Sequence, residues 1–399
     1  MLKIHSEPPK PELVNSGPAI LALGFRPFFS FAGLAAVLLL SLWLGIWAGA
    51  MRDPEYYGGI FWHSHEMLFG YAAAVIAGFL LTAVRNWTGA EVPTGTHLAL
   101  LALLWLAGRV APLLTGILPA PVIALIDLAF LPAVALSLVP PLWKGQQKIN
   151  RIFVPLLLVM GIANLLVHLQ SLDIADSAGH GIDMMLYLVV FLITIIAGRV
   201  VPFFTQAVIS GYQASRKPQI ELVSTLALGL LALMQPFGLP GPVVGLVALV
   251  VAVTQFLRVL VWYDRRIWGI PILWVLYSGY FWLILGFLLL GLSGFGVLPA
   301  NLAKHALTVG GIGVLTLGMM TRVTLGHTGH PIDPSPLMLP VFVLLNLAAA
   351  VRVFAALVWP QHYNLWVYLS GGLWVLCFLV FSAIYLPMLF RPRADGKPG

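Results

Sequence analysis

Apolar positions along this chain fall in long unbroken runs rather than in alternation. Runs of about 20 residues, each able to cross a hydrocarbon core roughly 30 Å thick, recur from Phe28 to Phe390. They cover 28–50, 61–84, 97–116, 119–142, 152–172, 181–203, 221–239, 241–263, 269–294, 300–323, 336–358 and 365–390. The ten-residue alternating segments of a membrane barrel are absent, so the runs predict helices. Pro112, the Pro119/Pro121 pair, Pro140-Pro141, Pro236 to Pro242 and Pro331 to Pro340 lie at or near the run ends, where helices stop. The pattern predicts an all-α fold, a polytopic integral membrane bundle of about 12 transmembrane helices. Residues 1–27 form an N-terminal cytoplasmic tail, 28–390 the transmembrane domain and 391–399 a cytoplasmic C-terminal tail. Small-residue pairs at Gly45/Gly49 and Gly241/Gly245 predict close helix contacts.

Composition narrows this further. Of the 399 residues 60% are apolar and 9% charged, against roughly 25% charged in a soluble domain, which excludes an ordinary water-soluble enzyme. The net charge of +7 reflects topology. With the N-terminus inside, seventeen of the 21 basic residues fall on the cytoplasmic side, and only Arg52, Arg109, Lys304 and Arg352 fall outside. That bias follows the positive-inside rule and predicts both termini in the cytoplasm. No basic, aromatic-interleaved patch suits nucleic acid. The single cysteine, Cys377, lies in the last run, which excludes CxxCH haem attachment, cysteine-held clusters and CxxC zinc sites. The polar segment before the first run and the length of that run predict no removable signal.

Ionisable groups inside spans are costly and mark function. The second span opens TrpHisSerHisGluMet (62–67), the fifth ends Asn164-Leu-Leu-Val-His168, and the tenth begins Lys304-His305. Topology places His63, His65, His168 and His305 at one membrane level near the outer face, as metal ligands, with Glu66 a base or proton carrier beside them. His63 and His65 are about 200° apart on one helix. His65 and His305 each precede a ThrGly pair by the same spacing, which aligns them as the pair holding metal or haem iron. This echo, with the AlaGlyArgVal-x-Pro repeat at 107–112 and 197–202, hints at internal duplication. At the cytoplasmic ends, Arg26, Arg85 and Arg322, with His327 beside the last, suit an anionic group such as a haem propionate. Asp127 within the fourth span needs a partner, and Arg109 across the short turn predicts a paired contact. No Walker A loop, strand-to-helix GxGxxG, GxSxG or HExxH is present.

Taken in order, GlyPheArgProPhePhe, TrpHis-x-HisGluMetLeuPheGly (62–70), GlyPheLeuLeuThrAlaVal-x-AsnTrpThrGly (78–89), AsnLeuLeu-x-HisLeu (164–169), GlyArgVal-x-ProPhePheThr (198–205) and HisAlaLeuThrValGly with MetThrArgVal-x-LeuGlyHisThrGly (305–329) closely resemble the NnrS family. The resemblance implies a twelve-helix bacterial inner-membrane protein containing haem and copper, linked to denitrification, the nitric oxide response and nitrosative stress. It does not imply a settled reaction. Tyr277 stands where the resemblance leads one to expect a histidine in the ninth span, and His330 where it leads one to expect arginine. The leading expectation is therefore a haem- and copper-binding membrane protein acting on or protecting against nitric oxide. The alternative is a transporter or chaperone for a metal, haem or small anion, and a third reading is a cofactor-free assembly factor.

Overall fold

A computed structural model describes residues 17–397; the first sixteen residues, with Lys3 and Lys10, and the last two lie outside it. Among the described residues, twelve helices are long and apolar enough to cross a membrane. They are α1 (Phe25–Trp47), α2 (Gly59–Thr88), α3 (Gly95–Leu114), α4 (Ala120–Lys144), α5 (Lys148–Ser171), α6 (Ala178–Val208), α7 (Pro218–Phe237), α8 (Gly241–Trp262), α9 (Pro271–Gly294), α10 (Ala300–His327), α11 (Met338–Val358) and α12 (Pro360–Phe390). Their ends differ from the apolar runs by at most five residues. The first differs instructively: Phe25 and Arg26, expected in the tail, form the first turn of α1 and are buried.

The helices form three consecutive groups of four, with the second helix of each group at the centre. In α2, α6 and α10 the buried share of the most apolar window is 83%, 72% and 78%, against 28–61% in the other nine. The outer helices close a ring whose seams are α4 on α5, α8 on α9 and α12 on α1. The seam of α8 and α9 depends on small residues, since a Cβ at Gly241 would stand 2.8 Å from the carbonyl oxygen of Gly294. Gly45, by contrast, faces Met51 of its own following loop, so only the second of the two small-residue pairs makes a helix crossing. Three compartments result, between α2 and α6, between α6 and α10, and between α10 and α2.

The start of α1 meets the end of α12, where Arg26 donates to the carbonyls of Leu389 at 2.9 Å and Arg391 at 2.8 Å. This is the terminal face of the bundle; the entries of α2 and α10 and the exit of α5 lie at the far face. There the helical ladder widens to π geometry in three segments, Glu66–Ala72 in α2, Ala306–Gly313 in α10 and Val351–Ala355 in α11. Such segments are rare and concentrate at functional sites. Two of them begin on the residue after His65 and after His305.

Candidate functional site

His63 and His65 leave α2 on opposite sides, and the four histidines divide accordingly. His65 turns into the first compartment. There α3 brings Arg109, α4 brings Asp127, and α5 brings Asn164 and His168, one helical turn apart on one face. Asp127 Oδ2 lies 3.1 Å from His65 Nε2 and 3.0 Å from His168 Nε2, and accepts from Asn164 Nδ2 at 2.8 Å. Arg109 binds both carboxylates, donating from Nη2 to Asp127 and from Nη1 to Glu66 Oε1 at 2.8 Å. Gly108 admits this, because a Cβ there would stand 2.7 Å from Asp127 Oδ1. The contact expected between Arg109 and Asp127 is therefore present. The loop before α2 closes the group: Tyr56 OH lies 2.9 Å from His168 Nδ1 and Tyr57 OH 3.2 Å from His65 Nε2. Burial, and after it the negative charge of Asp127, holds both phenols above their usual pKa, so they stay protonated.

His65, His168, Glu66 and Asp127 are all buried. One ligand atom from each of His65, Asp127 and His168 lies within 4.8 Å of the others, a spacing that can hold a metal ion. The charge count points the same way. Two carboxylates face one guanidinium, leaving one formal negative charge in a low-dielectric interior, where a lone charge is costly. A protonated imidazole or a bound cation would balance it. Glu66 Oε2 is buried without a partner.

His63 and His305 face the third compartment, where a cavity of about 400 Å³ opens between α1, α2, α6, α10, α11 and α12. The His63 ring lies flat on Trp43, centroids 4.6 Å apart and 11° from parallel. His305 Nδ1 lies 2.7 Å from the carbonyl oxygen of Asn301; that bond makes Nδ1 the donor and leaves Nε2 as the open lone pair. Arg352 also lines the cavity, donating from Nη2 to Tyr363 OH at 2.7 Å, while its Nη1 is buried without an acceptor. Asn301 Oδ1 is likewise unpartnered. Lys304 is held by Asp183 at 2.6 Å. The pairing expected of His65 with His305 is therefore corrected: His305 shares its cavity with His63, and His65 shares its cluster with His168.

The basic residues of the terminal face do not converge on either group. Arg26 caps the end of α12 through the carbonyls above, and Arg85 is exposed. Arg322 stacks 3.6 Å over the Phe204 ring with Nη1 unpartnered. The His327 ring lies beside Phe25, centroids 5.5 Å apart. The guanidinium that shares a cavity with histidines is Arg352. Tyr277, at the expected histidine position, donates to the carbonyl of Trp262 at 2.8 Å and bonds Thr205 at 3.0 Å, a helix-joining role. His330 Nδ1 pairs with Thr328 Oγ1 at 2.9 Å. Met67 lines the large cavity, away from the His65 cluster.

Sequence reasoning missed Tyr56, Tyr57 and Trp43. The adjacent tyrosines in a polar loop just before a histidine-bearing helix were the available signal for the first two; Trp43 gave none. The second compartment holds a network without histidine. Arg258 donates to Glu221 at 2.8 and 3.0 Å, to Tyr280 at 2.8 Å and to Gln255 at 3.0 Å.

In comparison with known proteins, a family model described as NnrS protein matches residues 19–393, nearly the whole chain. No curated protein gives a significant match.

Proposed function

The chain belongs to the NnrS family, and from that membership and its two groups of histidines we propose a bacterial inner-membrane protein that binds haem and copper and acts in the nitric oxide response. The observation that carries this reading is the large cavity, into which His63, His305 and Arg352 all face. Haem held between two imidazoles needs them from facing helices, and α2 and α10 supply one each. The fit rests on the chain itself: His305 has its tautomer set by Asn301 O, and Arg352 Nη1 has no acceptor of its own. That nitrogen suits a propionate, the role first expected of Arg26, Arg85, Arg322 and His327.

His65, Asp127 and His168 offer two imidazoles and a carboxylate, a donor set suited to copper(II) that would also supply the missing positive charge. When bound, the two metals supply redox-active coordination for nitric oxide, a small apolar molecule that partitions into the bilayer. The chain's own part is to orient and to handle protons. Arg109 fixes Asp127, Tyr56 fixes His168 through Nδ1 and Glu66 Oε1 fixes His65 through Nδ1, while Glu66 Oε2, buried and unpartnered, is placed to take up or release a proton.

The test is iron, copper and the Soret spectrum of purified protein. His63→Ala and His305→Ala should lose the haem band while copper remains; His65→Ala and His168→Ala should do the reverse. Unchanged metals and spectra in all four variants would sink the reading, and substrate-dependent flux in liposomes without stoichiometric haem would favour a transporter. Termini in the cytoplasm put both groups on the outer side, and label reaching a cysteine at Lys148 from outside intact cells, with Cys377 replaced, would reverse this.

A further inference from the structure

A second cavity, of about 60 Å³, lies at the centre of the bundle, walled mainly by α2, α6 and α10. We propose that it is a docking site for a single small apolar gas molecule, of the size of nitric oxide or dioxygen, held one side chain away from the large cavity. Its walls include Ala72, Val75 and Ile76 from α2, Leu192 and Ile196 from α6, and Leu315 from α10. One hydroxyl, that of Thr316, belongs to the wall, and it is already committed: it donates to the carbonyl of Ile312 at 2.6 Å and accepts from Tyr71 OH at 2.6 Å. A buried water requires two to four polar partners, and apolar cavities without them stay dry and take up apolar gases. A ring-sized occupant needs far more room, about 150 Å³ for benzene, so the volume selects an atom or a diatomic.

Two further features give the site a direction. Phe79, Ile193 and Met319 in its wall are only half-buried, so the cavity is not sealed on every side. Ile312 lines both cavities, while the Tyr71–Thr316 hydrogen bond ties α2 to α10 beside it. A gas molecule held there passes Ile312 to reach the space between His63 and His305. The identity of the gas rests on the nitric oxide reading; the docking site does not.

The experiment is the structure of the protein in lipid nanodiscs or crystals under xenon pressure, with xenon binding followed by NMR. Wild type should show one saturable xenon site among these residues. Ala72→Leu and Ala197→Leu, which fill it, should weaken xenon binding at least tenfold with the size-exclusion profile unchanged. No xenon in wild type, an acyl chain or water in its place, or equal binding in a folded filled variant overturns the proposal. The xenon measurement requires neither haem nor nitric oxide. Xenon without haem therefore overturns only the cofactor reading, and haem without xenon overturns only this one.

Discussion

The first and third compartments use the same helix and the same residue types, yet one is closed and the other open. Around His65 the polar side chains bond mostly to one another, with Asn164 and both imidazoles gathered on Asp127. Around His63 the ring lies flat on Trp43, His305 keeps one nitrogen free, Arg352 keeps one donor free, and a cavity of about 400 Å³ separates them. Buried polar groups without partners are destabilising. Each compartment keeps two, Glu66 Oε2 and Arg109 Nε in the first and Arg352 Nη1 and Asn301 Oδ1 in the third, but only the latter pair border a large cavity whose occupant could complete them. The closed compartment bonds its own side chains to one another and has room at most for an ion, whereas the open one leaves room for a larger occupant.

The largest effect should come from breaking the closed side. Removing one member of a buried pair costs roughly 3–5 kcal/mol, so Arg109→Ala or Asp127→Ala should lower the unfolding midpoint sharply in detergent. The double variant should cost less than the sum of the two; additive losses would show that the contact is not made. The open side should respond in the opposite manner. His305→Ala should abolish haem retention while leaving the stability of the apoprotein within about 1 kcal/mol, because the group has few internal partners to lose. Equal destabilisation on both sides would erase the distinction.

Arg352→Met sharpens it further, since a charge-assisted hydrogen bond is worth about 1.5–3 kcal/mol. Haem affinity should fall by roughly ten- to a hundredfold, measured by transfer to apomyoglobin. The smallest effect belongs to Tyr57→Phe, at about 0.5–1.5 kcal/mol for a lost neutral hydrogen bond, and it carries a pH signature. Burial raises the folded phenol above its ordinary value of 10.0, so above pH 10 the folded state holds protons that the unfolded state releases, and stability falls as pH rises. Unfolding midpoints of wild type and Tyr57→Phe should therefore converge above pH 10; parallel curves would show an ordinary tyrosine.

How far this was legible in the sequence depended on which coordinate was asked for. Depth was legible: hydrophobic run length located α1 to α12 closely, and topology put His63, His65, His168 and His305 at the far ends. Direction around the helix axis was only half legible. The angle between His63 and His65 separated them, but nothing in one chain gives the order of helices around a ring. The shared spacing of His65 and His305 suggested a joint site, and the three-group arrangement shows why it does not make one. Residues in equivalent positions of two groups face equivalent compartments, hence different ones. Arg109 on α3 and Arg352 on α11 are sorted in the same way, each with the histidine of its own group.

His63 and His65 also share one rigid turn of α2, on opposite sides of its axis, and the π-helical stretch Glu66–Ala72 begins immediately below them. Because the two rings sit on one turn, they cannot be displaced independently by a rotation of that turn. A twist that moved His63 in the large cavity would move His65 relative to Asp127 as well. The two compartments are thus joined through a single helical turn.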